Sequence, residues 1–385
     1  MAAAPRPRRL GLVVNPIAGM GGRVALKGTD GELALRLARE RGAVPVAPER
    51  AGRALRRLVA GGPPLHVLAA PGTMGADLAA TAGLDVETTA PPSAPGRDTR
   101  PADTRNAVAE MRERAVDLLL FAGGDGTARD IVDTIGADLP LVGVPTGVKM
   151  HSGVFAATPD AAGAAASAYL RDPGPGALRE AEIADVDEDA ARHDRVAARL
   201  YGSALVPRQP NLMLGAKTPS TASADAALDA LCAQVAATLP RGRLTLLGPG
   251  TTTARVLAHL GLRGTLLGVD AVRDGTLVAP DLDEAGVLAL LDEADGDGDG
   301  ALLLSGVVGG QGSLFGRGNQ QLSPRVLRRL GRDRIEVLAA ADKLLHLSPP
   351  RLRVDTGDDE VDAELSGYLQ VRVAPGRTIV MKVST

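Results

Sequence analysis

The sequence predicts an α/β protein whose N-terminal part is a Rossmann-like lobe on a parallel sheet, and three observations carry that expectation. Short apolar runs recur, each closed by a Gly- or Pro-rich turn and followed by an Ala/Leu/Arg-rich amphipathic segment, the mark of strands alternating with helices. The chain has 385 residues, more than one hydrophobic core usually serves, so two domains or one domain with a large second lobe are expected. From Leu244 onward a second series of strand, glycine turn, helix and strand begins.

Taken in order, the apolar runs Leu10–Val14, His66–Ala69, Leu118–Ala122 and Leu141–Val144 read as strands. Gly31–Arg41, Gly52–Ala60, Asp103–Arg114 and Ala128–Ile135 read as the helices between and after them. Thr89–Pro101 is rich in Pro, Ser and Thr and reads as a surface loop. Pro159–Arg171 is helical in pattern, and Ile183–Val206 fits strands around a polar turn. The second series comprises strand Leu244–Leu247, turn Gly248–Gly250, helix Thr251–Leu260 and strand Thr265–Val269. Arg334–Ala339 reads as a further strand and Val354–Thr385 as a β-rich finish. Asp295–Gly300 alternates Asp and Gly but lacks the Glu that closes a calcium loop, so it reads as a solvated turn. The acidic run Asp185–Asp189 is likewise read as solvated.

Composition narrows the function classes. Aromatic residues make up 2% of the chain, with no Trp, and the net charge is −3. A nucleic-acid partner is therefore not expected, because single-strand binders stack bases on aromatic rings beside a basic groove. The single cysteine, Cys232, excludes an intrachain disulfide framework and reads as a small buried apolar residue. The basic stretch before Leu10 lacks the pattern of a signal peptide, and no run approaches about 18 apolar residues, so a cytoplasmic protein without a membrane partner is expected.

The strongest local signal is Leu118–Thr127, an apolar strand that ends in Gly123-Gly124-Asp125-Gly126-Thr127 and runs into a helix. Glycines at such a turn let backbone N–H groups converge on a phosphate, and the helix start adds its positive end. Asp125 in the middle of that turn would repel a phosphate, so its presence asks for a role as base or metal-orienting group; the plainer reading is a helix cap in a tight turn. Thr146, Gly147 and Lys149 follow a strand expected to end on the same sheet edge, which offers the lysine to a β- or γ-phosphate. Gly248-Pro-Gly250-Thr251-Thr252-Thr253 is a second phosphate cradle or, more plainly, a threonine cap. The polar glycine-rich stretches Gly309–Gly312 and Gly316–Gln321 place Gln311, Arg317 and Asn319 in a loop read as ligand-facing, with Arg317 suited to a phosphate. Asp355 and Asp358 flank Thr356-Gly357 and read either as solvated hairpin carboxylates or as contacts to ribose or metal.

Gly123–Thr127 resembles the motif shared by NAD kinases, diacylglycerol kinases and 6-phosphofructokinases, and Asn15-Pro16 through Gly22 resembles the strand-end turn of the NAD-kinase and lipid-kinase superfamily. Leu26–Asp30, Val144–Ser152, Gly248–Thr253, Gly309–Gly312, Gly316–Gln321 and Arg353–Asp358 resemble the ATP-NAD kinase-like branch that includes the acetoin-catabolism protein X group. The resemblance implies an N-terminal α/β nucleotide-binding lobe, placed at residues 1–155, and a β-rich substrate lobe at 156–385, with the active site between them. It implies ATP and Mg²⁺ as cofactors and a kinase acting on a small-molecule hydroxyl, foremost the 2′-hydroxyl of NAD, to give NADP. Asp125 takes the role of base, Gly126 and Thr127 contact phosphates, and Asn15, Pro16, Gly123 and Gly124 complete the nucleotide turns. Gly248–Thr253 faces the acceptor, and a homo-oligomer is expected. The Asn-acidic pair that holds the nicotinamide nucleotide in NAD kinases has no clear counterpart, Asn211 being a loose match. That departure keeps open a kinase for another hydroxyl compound, acetoin-related or lipid, and a non-catalytic nucleotide-binding regulator.

Overall fold

The computed structural model describes residues 7–26, 32–92, 99–147, 150–186, 198–209, 212–213, 221–296, 300–308 and 312–385. Among these the first half alternates β1 (Arg8–Val14), α1 (Glu32–Glu40), α2 (Ala47–Gly61), β2 (Leu65–Ala69), α3 (Ala76–Thr81), β3 (Val86–Thr88), α4 (Pro101–Glu113), β4 (Leu118–Gly123), α5 (Asp125–Ile135) and β5 (Leu141–Pro145). The five strands form one sheet in the order β3-β2-β1-β4-β5, and every pairing within it is parallel. Strand β4 is buried along all of its length, and its unbroken apolar sequence is what a strand covered on both faces requires.

Helix α6 (Pro159–Arg171) and the antiparallel pair β6 (Leu178–Val186) and β7 (Ala198–Pro207) join the same core, which runs from Leu10 to Met213. Alanine and glycine make this packing close. A Cβ on Gly163 of α6 would stand 2.2 Å from the Ala54 carbonyl oxygen of α2, so the two helices meet backbone to backbone and need no aromatic filler.

The second half is a mixed sheet built from β8 (Leu244–Leu247), β9 (Val269–Arg273), β10 (Thr276–Leu282), β11 (Ala301–Gly306), β12 (Ser313–Phe315), β13 (Ile335–Leu338), β14 (Arg351–Val354), β15 (Gly367–Ala374) and β16 (Arg377–Ser384). Its order is β10-β9-β8-β11-β13-β15-β16-β14-β12. Alternation along β11 sorts the core by face: Leu302 and Leu304 pack with helices Ala222–Ala237 and Thr251–His259, while Ala301 and Leu303 pack with helices Glu284–Gly296 and Pro324–Leu330. The α/β class expected from the sequence is thus the class observed, with a parallel-sheet lobe followed by a β-rich one.

Local boundaries differ where a side chain decides them. Helix α2 starts at Ala47, five residues before the glycine expected to open it, because Pro48 suits a first turn whose N–H groups need no partner. Helix α5 starts at Asp125, which moves the acidic residue from a loop into a helical turn. The strand expected at Thr265–Val269 begins only at Val269. Asp270 accepts hydrogen bonds from the Thr265 N–H (2.7 Å) and hydroxyl (3.0 Å), which folds 265–268 into a turn. The β-rich finish also contains a helix, Asp359–Leu365, capped by Asp358. Cys232 is fully buried on helix Ala222–Ala237, and burial pushes its thiol up to about 11. No helix among the described residues is long and apolar enough to cross a membrane.

Candidate active site

Three of the turns singled out by sequence meet at one edge of the first sheet because the strands that feed them are neighbours. Val14 is in register with Ala122, and Gly123 with Pro145, so Asn15, Gly124 and Thr146 each lie one residue past the C-terminal edge. The strand order reverses between β1 and β4, and at such a switch point the outgoing chains diverge and leave a crevice. Asn15 ties two of these turns together. Its amide nitrogen donates to the Thr127 hydroxyl (3.2 Å), its amide oxygen accepts from the Ile17 N–H (3.2 Å), and its own N–H donates to Ala122 O (2.9 Å). Pro16 follows, half-buried, in the turn.

The glycines of the second turn have separate tasks. A Cβ on Gly123 would lie 2.5 Å from Thr127 Cβ, so this glycine permits close packing of strand end on helix start. Around Gly124 no atom of the described residues would lie within 4 Å of such a Cβ, so among them this is the face left open to a ligand. Gly126 and Thr127 continue the first turn of α5, where the backbone N–H groups have no partner within the helix and the positive end of the helix dipole is concentrated.

Asp125 is 7% exposed. Its carboxylate accepts from the His151 N–H (2.7 Å) and the Ser152 N–H (3.0 Å), which fixes its orientation. Burial raises its pKa above the ordinary aspartate value, while those hydrogen bonds and the nearby Arg317 guanidinium oppose the rise. Arg317 donates to Met150 O at 3.0 Å, and burial lowers its own value to about 10.

Thr146 is buried, and its hydroxyl oxygen has no hydrogen-bond partner among the described residues. It borders a cleft of about 400 Å³ between the lobes, lined also by Gly19, Arg23, Gly147, Gly316 and Arg317. A buried hydroxyl left unpaired costs about 1–3 kcal/mol, which a polar ligand would recover. Gly147 O accepts from the Gln320 side chain at 3.3 Å, a second bond from the C-terminal lobe onto this segment. Lys149 and Gln311, both expected to face a ligand, lie outside the described residues, as does Asn211.

Gly248–Thr253 sits at the C-terminal end of β8, and none of its residues lines the cleft. The turn is closed on itself: the Gly248 and Gly250 N–H groups donate to Leu304 O and Leu266 O, both at 2.9 Å. The Thr253 hydroxyl donates to Gly248 O at 2.6 Å. Thr251 is exposed and Thr252 half-buried. Asn319 is committed to its own loop, its amide oxygen accepting from the Gly316 N–H (3.1 Å) and its nitrogen donating to Leu314 O (2.8 Å). It shapes the loop that carries Arg317.

Of the two carboxylates near the C-terminus, Asp358 takes the bland part, accepting from the Glu360 and Val361 N–H groups as a helix cap. Asp355 does not: it is buried and paired with Arg50 of α2. Sequence reasoning passed over Arg50, and the only trace of it was a pair of arginines, 50 and 53, three apart on one helix face. Among the described residues no three His, Cys, Asp or Glu side chains gather as a metal site.

With this geometry in hand, comparison with known families gives two matches. The ATP-NAD kinase N-terminal domain model matches residues 10–173, and the ATP-NAD kinase C-terminal domain model matches residues 242–383. Compared with curated proteins one by one, the chain matches none.

Proposed function

The chain belongs to the ATP-NAD kinase family, and from that premise we propose that it transfers the γ-phosphoryl of ATP to the 2′-hydroxyl of NAD, giving NADP. The observation that carries this reading is the buried carboxylate of Asp125, held by two backbone amides in the first turn of a helix whose glycine neighbour leaves the approach open.

Phosphoryl transfer asks a protein mainly for positioning and for charge complementarity. The N–H groups of the α5 first turn and the Arg317 guanidinium answer the negative charge of the donor. The acceptor oxygen attacks the γ-phosphorus as the bond to the bridging oxygen breaks, ADP departs, and the hydroxyl proton passes to Asp125. A magnesium ion bound with the donor would supply charge neutralisation to the transferring phosphates. The reading also places the protein in the cytoplasm, as a homo-oligomer.

Incubation with ATP, Mg²⁺ and single acceptors tests the assignment. NAD is expected to support the fastest ADP release. Faster release with a small ketone-derived alcohol or a lipid backbone would move the acceptor and keep the chemistry; nucleotide-induced thermal stabilisation without turnover on any acceptor would leave a binding regulator.

The acidity of Asp125 sets the expected pH profile. A base must be deprotonated to act, and burial raises its value, so activity is lost on the acid side as pH falls through a point above the ordinary aspartate value of about 4. A kcat profile that stays flat down to about pH 4 would exclude Asp125 as the base.

A further inference from the structure

We propose that the Arg50–Asp355 ion pair is a positioning device through which the C-terminal lobe holds Pro145 at the end of β5 and the stretch Met150–Ser152, and with them the carboxylate of Asp125. For its chemistry the inference rests on the phosphotransfer reading; for its geometry it does not.

The two side chains are 12% and 10% exposed, and they join α2 to the end of β14. Arg50 is a bridge: Nη2 donates to the Asp355 carboxylate, while Nε donates to Pro145 O at the last residue of β5. That carbonyl is where the chain leaves the sheet. Arg317 donates to Met150 O (3.0 Å), and the same peptide group presents its N–H, that of His151, to Asp125 (2.7 Å). Pull on the carbonyl side and push on the amide side polarise one peptide in one direction, which strengthens both bonds.

Both grips belong to one patch of the C-terminal lobe. The Asp355 N–H donates to Phe315 O at 3.2 Å, and Gly316, the residue before Arg317, has no room for a Cβ against the Asp355 carbonyl. Arg317 is the charged group that faces Asp125, and Arg50, Asp355 and Arg353 face Arg317 in turn. Arg53 lies 3.7 Å from the second Asp355 oxygen, which accepts no hydrogen bond among the described residues, and Arg53 itself is bonded to Asp160 at 2.7 Å.

Stability alone does not call for such a pair, since apolar replacements of buried ion pairs are often as stable. What the pair supplies is direction. A guanidinium reaches a carboxylate and a carbonyl at once with a planar fork, whereas an ammonium is a single point charge.

The test compares Arg50→Lys, Asp355→Asn, their double variant and Arg53→Gln in the full chain. Hydrogen exchange of the His151 and Ser152 amides without ligand is the first readout, and the kcat–KM split for ATP is the second. Arg50→Lys and Asp355→Asn are each expected to speed exchange of those amides about tenfold. They are expected to lower kcat about tenfold with KM within about twofold, the double variant being no worse than the poorer single one. Arg53→Gln is expected to match the unaltered protein in both. Unchanged exchange in Arg50→Lys, or equal effects of Arg53→Gln, overturns the inference. Should Asp355→Asn fail to fold, the charge-conserving Arg50→Lys decides. Should no acceptor be turned over, the phosphotransfer reading falls while the exchange data still decide the positioning claim.

Discussion

Replacing Asp125 by asparagine is expected to lower phosphoryl transfer by about 10³-fold while nucleotide affinity changes by no more than about threefold. The asymmetry follows from geometry. Donor phosphates are read as meeting the α5 first-turn amides and Arg317, and none of these is altered. The proton of the acceptor hydroxyl needs a base, and in the proposed reaction that base is the Asp125 carboxylate. The asparagine oxygen keeps one of the two hydrogen bonds now made with the His151 and Ser152 N–H groups. Its NH₂ meets the other N–H donor to donor, an unsatisfied contact costing about 1–3 kcal/mol, against which the removal of a buried charge counts in favour of folding. Stability should therefore shift little, so a large fall in ADP release cannot be assigned to unfolding. Calorimetric titration with a non-hydrolysable ATP analogue beside the ADP assay separates the two quantities. Turnover retained in this variant would remove Asp125 from the chemistry.

How much of this site the sequence made legible depends on how far apart in the chain its parts lie. The Gly123–Thr127 turn and the strand that feeds it are contiguous, so their apolar run and glycines announce them. The meeting of that turn with Asn15 and Thr146 follows from parallel-sheet topology: consecutive strands place their C-terminal ends on one edge. Long-range pairing carries no such period. Arg50 and Asp355 are 305 positions apart, and nothing in the local pattern around either residue names its partner. Helix α2 holds four arginines, at 50, 53, 56 and 57, and periodicity alone ranks none of them above the others. The same holds for Asp270, whose three hydrogen bonds turn an expected strand into a loop although the β-branched Thr265 and Val269 at its two ends suit a strand. Asn319 shows the converse error, in which a polar side chain in a glycine loop reads as a ligand contact yet is consumed by the backbone of that loop.

The joint between the lobes yields the second large effect. Gly316 has φ +90°, and a Cβ built on it would stand 1.8 Å from the Asp355 carbonyl oxygen and 2.2 Å from the Asp355 carbonyl carbon. Both neighbours are backbone, so no rotamer change relieves the overlap. Gly316→Ala is expected to destabilise the protein by about 3 kcal/mol or more, about 1–2 from the left-handed conformation and the rest from displacing β14 or the Gly316–Gln321 loop. Gly357 provides the control: its φ is +89°, but a Cβ there would find nothing within 4 Å. Gly357→Ala carries the conformational cost alone, about 1–2 kcal/mol. Denaturant unfolding of the two variants reads the difference directly, and equal losses would show that the Gly316 backbone does not lie against Asp355. Displacing Gly316 moves Arg317 away from Met150 O and Gln320 away from Gly147 O, so Gly316→Ala should lose activity beyond its loss of folded protein.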